Sequence, residues 1–454
     1  MELPAACERV LELSRADGCI AIAWHHSSAN LRWALNTSTT NGVTESDELV
    51  VISLIGGRVG SVARSYFTEE SLEGIVRESE AACEGKPVAE DAMPLLEGDG
   101  VPADWRQAAS TTGIGVFAGL AGDLAAAFAR AEQGGYLLFG YAEHVVTTVY
   151  LGTSTGLRRR HSVAEGKFQV NAKTPDFKAS TWAGRVTSTF DDVDLPAIEE
   201  RLRQRLEWSK KQLALPAGHY EVLLEPSCVA DMTLEAYWST AARDADEGRS
   251  VFSKPGGGNR IGEKIAAPGV TLYSDPEEPG FRVAPFTVAT SSSSYSSVFD
   301  NGLATGRTDW IQDGVLTGLI TTRHWAKETG AQPKPFVDNL IFPSKGPSLE
   351  EMIASTERAL LVTCLWYIRE VDPQTLLLTG LTRDGVFLVE DGEVRGAVNN
   401  FRFNMSPVDM LAQTVEIGSS ESTLARELGD YFTFAKMPPI RVRNFHMSSV
   451  SESV

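Results

Sequence analysis

Two stretches of this chain have spacings that could do chemistry, and both fail on closer reading. Gly152-Thr153-Ser154-Thr155-Gly156 fits the G-x-S-x-G pattern of a serine nucleophile. That chemistry needs a strand before the serine and a helix after it, so that the hydroxyl stands on a strained turn. Leu157 to Val170 reads as further strand, so the segment is a hairpin turn built from small residues. The run Lys254 to Lys264, KPGGGNRIGEK, suggests a phosphate cradle, but Glu263 stands where such a loop needs its lysine. It reads as a flexible loop leading to a strand. The seven histidines offer imidazoles for metal or proton work. His25 and His26 are adjacent and point to opposite faces of a strand, and His144, His161, His219, His324 and His446 are isolated. The five cysteines are scattered with no C-x-x-C pair, so neither a zinc knuckle nor a disulfide framework is indicated.

Patterned polar residues concentrate between Cys364 and Ser406. Short β-rich runs alternate there with Asp372-Pro373, Arg383-Asp384-Gly385 and Asp391-Gly392. Asp-Gly between such runs is a strong hairpin signal, so the stretch is expected to be an antiparallel meander ending in one strand from Val394 to Phe403. Arg383 and Asp384 at a turn, with Asn399, Asn400 and Arg402 in the last strand, could line a groove for an extended peptide. The plainer alternative gives Asp384 a hairpin turn and Arg402 an intrasheet ion pair.

This stretch resembles the TldD/PmbA family, once labelled modulators of DNA gyrase. The resemblance rests on Trp366-x-x-Arg369, Thr379-Gly380-Leu381-Thr382-Arg383-Asp384-Gly385, Glu390-x-Gly392-Glu393 and Asn399-Asn400-Phe401-Arg402-Phe403. A second match is the turn Arg260-Ile261-Gly262-Glu263-Lys264, followed by Ala267-Pro268-Gly269-Val270-Thr271 and Asp275. A third is Asp309 to Leu316, DWIQDGVL, and the three extend the likeness over roughly residues 216–448.

The catalytic branch of that family carries His-Glu-x-x-x-His on a helix, with a cysteine near the C-terminus. Two imidazoles and a thiolate suit zinc, and the glutamate can act as base on the metal-bound water. The corresponding helix here reads ADMTLEAYWS from Ala230 to Ser239. Glu235 is retained, but Leu234 and Ser239 occupy the histidine positions. No histidine lies between His219 and His324, and no cysteine follows Cys364. The chain therefore resembles the PmbA/TldE branch, and no cofactor is expected in it. Glu235 alone reads as a solvated or capping carboxylate.

The elements that would position these residues are those of an α+β chain. Helices are expected at Leu3–Arg15, after Thr68, at Val116–Gln133 and at Leu195–Leu213 with Asp194 as N-cap. Cys19–His25, Asn30–Asn36 and Leu49–Ile55 read as separate strands, and Tyr136–Thr189 as four or five more. Pro216-Ala217-Gly218 looks like a boundary between an N-terminal helix-and-sheet domain (1–215) and a C-terminal domain (216–454) dominated by a curved antiparallel sheet. A helix is expected from about Val229 to Arg243.

A formal charge of −19 would repel a phosphate backbone, which argues against nucleic-acid binding. No run is read as reaching the roughly 18 apolar residues of a membrane span. The start MELPAACERVLELSRADG reads as an amphipathic helix and not as a signal peptide, so a cytoplasmic protein is expected. The resemblance implies a metal-less subunit that pairs with a zinc-bearing TldD-type homologue. The pair would enclose a chamber that cleaves unfolded or leader peptides, with this chain supplying wall and peptide groove. Two alternatives stand beside it: a homodimeric peptide-binding scaffold, and an independent hydrolase with a non-metal site.

Overall fold

The computed structural model describes residues 1–452. Leu3, Cys7 and Val10 recur at helical spacing and are buried along one side of α1 (Leu3–Leu13), which packs on Cys19, Ala21 and Ala23 of β1 (Gly18–Ala34). β1 and β2 (Thr37–Ile55) form one long hairpin with a register shift between Arg32 and Trp33, where separate strands at Cys19–His25 and Asn30–Asn36 were expected. The polar middle of β1 stays extended because β2 and a later strand pair with it on both sides along most of its length. Leu35 and Asn36 both take positive φ at the turn (52° and 60°), the geometry that matches strand twist in a two-residue loop.

β3 (Arg58–Arg64) pairs with the end of β2, and a capping box at Thr68 precedes α2 (Leu72–Ala81). α3 (Ala118–Gly134) then leads into β4 (Leu137–Thr153), β5 (Arg158–Lys173) and β6 (Ser180–Thr187). These are three long strands instead of the four or five expected. The sheet order is β3-β2-β1-β4-β5-β6. The helical stretch Ile114–Gly134 is long and apolar enough, by length and composition, to cross a membrane. This corrects the reading that no run is: Ile114, Val116, Phe117, Leu120, Leu124 and Phe128 stand among alanines with few charges between them. Here it lays Leu120, Leu124, Ala127 and Ala131 into a core shared with the sheet and with α4 (Leu195–Trp208). Asp194 caps α4 by accepting the Ala197 N–H at 3.0 Å.

The rest of the chain builds two further sheets. After β7 (Gln212–Leu213) and β8 (Gly218–Leu224) come α5 (Pro226–Trp238) and α6 (Ala242–Asp246). The helix expected over 229–243 thus starts earlier and breaks at Ser239. β9 (Leu272–Ser274), β10 (Thr308–Gln312), β11 (Val315–Leu316), α7 (Arg323–Thr329), β12 (Asn339–Ile341) and α8 (Leu349–Ala354) follow. The remainder is β13 (Arg358–Val362), β14 (Leu365–Asp372), β15 (Leu377–Thr382), β16 (Val386–Glu390), β17 (Glu393–Val398), β18 (Phe401–Met405), α9 (Pro407–Ala412), β19 (Thr414–Ile417), β20 (Glu421–Thr423), β21 (Phe434–Met437) and β22 (Ile440–Val450). One six-stranded sheet has the order β11-β10-β9-β12-β21-β20. The larger, ten-stranded one runs β14-β15-β18-β22-β8-β13-β16-β17-β7, with β19 on β22. It is largely antiparallel, with parallel pairs at β8–β13 and β17–β7.

The expected meander is present in a different form. β14 pairs β15 and β13 pairs β16, while β15 pairs β18 and β16 pairs β17. Arg383-Asp384-Gly385 is therefore no hairpin turn. It is the bend in one long strand whose halves, β15 and β16, lie in opposite arms of the sheet. The neighbouring strands bend at the same level, at Thr363-Cys364 and at Asn399-Asn400. The Thr363 N–H donates to Gly385 O (3.2 Å) and the Arg383 N–H to Cys364 O (3.2 Å), so the ladder is carried across the corner.

Candidate functional site

α5 is enclosed by the C-terminal core. Pro226 begins it at a position where a missing N–H costs nothing. Of its thirteen residues, only Glu235 and Trp238 are not fully buried, and the buried Ser227, Asp231 and Thr233 all bond backbone groups. Leu234 is 0% exposed within that core. The Ser239 hydroxyl donates to Glu235 O at 2.9 Å, back-bonding onto its own helix.

Glu235 is not the solvated carboxylate expected. Burial pushes its pKa up to about 7, the charges of Glu370 and Glu427 push the same way, and Arg369 opposes them. The zinc that the resemblance implies does not fit these residues. Leucine has no ligand atom, the Ser239 hydroxyl is committed to the backbone, and no group of three or more His, Cys, Asp or Glu among the described residues is placed to hold a metal. What Glu235 can do is exchange a proton near neutral pH.

The turn at 426–428 shapes the surroundings of Glu235. Asp231, 0% exposed on α5, accepts the N–H groups of Glu427 and Leu428 on Oδ1 (3.0 Å each) and that of Arg426 on Oδ2 (3.1 Å). Burial raises the pKa of Asp231 and the three donors oppose the rise. The anchored turn directs Glu427 toward β14, where it accepts from Tyr367 N–H (3.1 Å) and pairs with Arg369 (3.0 Å). It also lays the Arg426 guanidinium over the Trp366 ring, 4.5 Å from its centroid. None of this was legible beforehand, because its acceptor and donors lie about 195 residues apart.

The bend in the ten-stranded sheet gathers most of the other residues singled out by sequence. Asp384 is buried at positive φ (53°), with Arg383 Nε 3.9 Å from its carboxylate. Asn399 accepts the Leu215 N–H at 2.8 Å, and the Asn400 amide oxygen accepts the Thr382 hydroxyl at 3.2 Å. Arg402 donates to the Thr379 hydroxyl at 3.4 Å, and forms no ion pair among the described residues. Arg260, Gly262 and Glu263 lie elsewhere: Arg260 and Glu263 pair at 3.1 Å. Gly262, at φ 88°, donates its N–H to Leu316 O (2.8 Å), so the Arg260–Lys264 and Asp309–Leu316 segments meet.

All five cysteines are free and buried. His25 contacts Asp47 (2.7 Å), His26 the Thr147 hydroxyl (3.1 Å) and His144 both the Thr112 hydroxyl and Ser188 O. His219 and His446 stack 4.4 Å apart across β8 and β22.

A family model described as the PmbA/TldA metallopeptidase C-terminal domain matches residues 217–449. A protein named metalloprotease from Methanothermobacter thermautotrophicus is 28% identical over 151 residues, which is 32% of this chain and 30% of that protein. Another of that name from Archaeoglobus fulgidus is 24% identical over 216 residues, 46% of this chain and 43% of that one. The chain thus matches less than half the length of either relative. TldE from Thermococcus kodakarensis superposes with a TM-score of 0.78 at 16% identity, over 97% of this chain and 98% of that one. A Thermotoga maritima protein named as a candidate modulator of a DNA gyrase gives 0.76 at 16% identity, over 97% and 99%. At such identities the likeness is one of fold.

Proposed function

The chain belongs to the PmbA/TldD metallopeptidase family, and from that premise we propose that it is a metal-less, TldE-like subunit of a peptidase whose zinc is held by a TldD-type partner. The observation that carries this reading is the chemistry of α5. Leu234 sits in the core where the resemblance calls for one imidazole, and Ser239 bonds its own helix where it calls for the other. The retained Glu235 has no metal-bound water to act on.

In this reading the chain supplies chamber wall and part of a peptide groove, and the partner supplies the groups that stabilise the transition state. The bend that holds Arg383, Asp384, Asn399, Asn400 and Arg402, and β14 at the end of its sheet, offer backbone and side-chain groups to an extended peptide. A cytoplasmic heterodimer acting on unfolded or leader peptides is the corresponding assembly.

The test is peptidase activity on an unstructured peptide with this chain alone, the TldD-type homologue alone, and the two mixed. Chelator-sensitive cleavage that is strongest in the mixture is expected. Chelator-insensitive cleavage by this chain alone would overturn the reading and favour an independent hydrolase.

A further inference from the structure

The N-terminal sheet has one face covered by the helices α1 to α4 and the other turned toward the C-terminal half. On that second face Ile20, Ile22 and Leu151 pack against Phe286, Val298 and Phe299 in an apolar seam. Farther along the strands the face changes character. Cross-strand register sets Trp24 beside Val149 and His161, then His26 beside Thr147 and Val163, then Glu165, then Glu143 beside Lys167. A sheet face covered by protein is ordinarily apolar, and this one becomes ionisable where the two halves part. The gap is a cleft of about 380 Å³. Its floor is this face, and its roof includes Val283, Asp338 and the segment Asp430–Phe434.

The charges in the cleft do not balance. Lys167 is paired with Asp430 at 3.3 Å. Glu165 and Asp338, on floor and roof, have no hydrogen-bond or ion-pair partner among the described residues. Asp338 is exposed and Glu165 half-buried, and both line the cleft. Two unpartnered carboxylates lining one gap are an incomplete site, which a cation between them would complete. No third carboxylate or imidazole joins them in metal-binding geometry among the described residues, so an organic cation suits the gap better than a metal ion. Trp24 and Phe432 add aromatic walls. From His161 to Lys167 the floor runs about 20 Å at the rise of a strand, the length of roughly six extended residues.

We propose that this cleft binds an extended peptide through a lysine or arginine side chain, its cationic head between Glu165 and Asp338 and its flanking residues along the floor of β5. The proposal deepens the peptide-subunit reading and rests on it. It makes this chain a selector of basic segments within whatever peptide the assembly handles.

The experiment is fluorescence anisotropy of a labelled unstructured peptide with one central lysine, against the same peptide with norleucine there. Both are titrated with the full chain, with D338N and with E165Q/D338N. The wild type is expected to prefer the lysine peptide by about tenfold or more, D338N less, and E165Q/D338N by under twofold. Neutralising two repelling carboxylates should leave the melting temperature unchanged or higher. A lysine preference that survives in E165Q/D338N, or equal binding of both peptides by wild type, overturns the cleft proposal and leaves the peptide reading intact. If wild type binds neither peptide, alone or mixed with a TldD-type homologue, the peptide reading falls and the cleft proposal with it. Free spermidine displacing the lysine peptide from wild type, but not from E165Q/D338N, would confirm the site's charge selectivity.

Discussion

Arg205 on α4 and Glu225, the residue that opens α5, are ion-paired with side-chain exposures of 2% and 9%. The pair ties the helical cover of the N-terminal sheet to the central helix of the C-terminal core. Arg205 also donates to Trp182 O on β6 at 3.2 Å. Removing one member leaves an uncompensated buried charge, so Arg205→Ala should cost about 3–5 kcal/mol. Replacing both members, as in Arg205→Met with Glu225→Leu, should recover most of that loss, since apolar packing often replaces a buried pair without penalty. Urea denaturation of the two variants checks this. Equal losses in both would mean that the ion pair and its hydrogen bonds contribute net stability that apolar packing does not replace.

Glu235 should make stability fall with rising pH. Its carboxyl pKa is near 4.5 unfolded and about 7 folded. A group with a raised folded pKa is favoured in its protonated form, so its contribution is full below pH 4.5 and is lost as pH climbs through 7. Glu235→Gln cannot ionise. Its stability relative to wild type should therefore rise across pH 4.5–7.5, by roughly 2 kcal/mol once partial solvation is allowed for. Parallel pH–melting curves measure the difference, and curves that stay parallel would refute the shift.

How much of this was legible in the sequence follows from the range of each signal. The Thr68 cap, the Asp194 cap and the Asp391-Gly392 hairpin are local, and each lies where the residues place it. Pairing partners are not local. Strand-like runs on either side of Arg383-Asp384-Gly385 look the same whether the chain reverses there or bends on. The backbone bonds from Thr363 and to Cys364 distinguish the two, and nothing in the triplet announces them. The long β1–β2 hairpin was missed because polar residues in mid-strand read as a gap until strands on both sides satisfy their backbone. Leu234, Glu235 and Ser239 were legible as a departure from a motif. The raised pKa of Glu235 owes most to burial in the C-terminal core and then to Glu370 and Glu427, far away in sequence.

Gly385 is held at φ 133°, outside the ordinary range of residues with a Cβ. A methyl group there would meet Phe387 Cε2 at 2.7 Å and the Thr363 hydroxyl at 2.9 Å, the same hydroxyl that bonds Gly385 O. Gly385→Ala should thus strain the bend and loosen the arm that presents Arg383, at a cost of about 1–3 kcal/mol. A drop in melting temperature with faster amide exchange at residues 363–365 and 383–386 is expected. An unchanged melting temperature would mean that the corner is pliable and its residues are not held in fixed positions.

Asp231 separates a charge effect from a shape effect. Both of its oxygens accept backbone N–H groups, two on Oδ1 and one on Oδ2. Asparagine has the same shape but one acceptor oxygen, so Asp231→Asn sets an amide N–H₂ against the N–H of Arg426 or against those of Glu427 and Leu428. A buried donor left facing a donor costs about 1–3 kcal/mol. The disturbance should not stop at stability. The 426–428 turn holds Glu427 against Tyr367 and Arg369, and two residues beyond it the chain enters the roof of the cleft at Asp430. Asp231→Asn should therefore lower the melting temperature and also weaken peptide binding severalfold, although residue 231 lies out of any ligand's reach. Asp231→Ala, which removes the donor clash but leaves all three N–H groups unpaired, should be at least as damaging. If Asp231→Asn destabilised the chain without altering peptide affinity, the turn would be a structural anchor alone and the cleft roof would be positioned by other contacts.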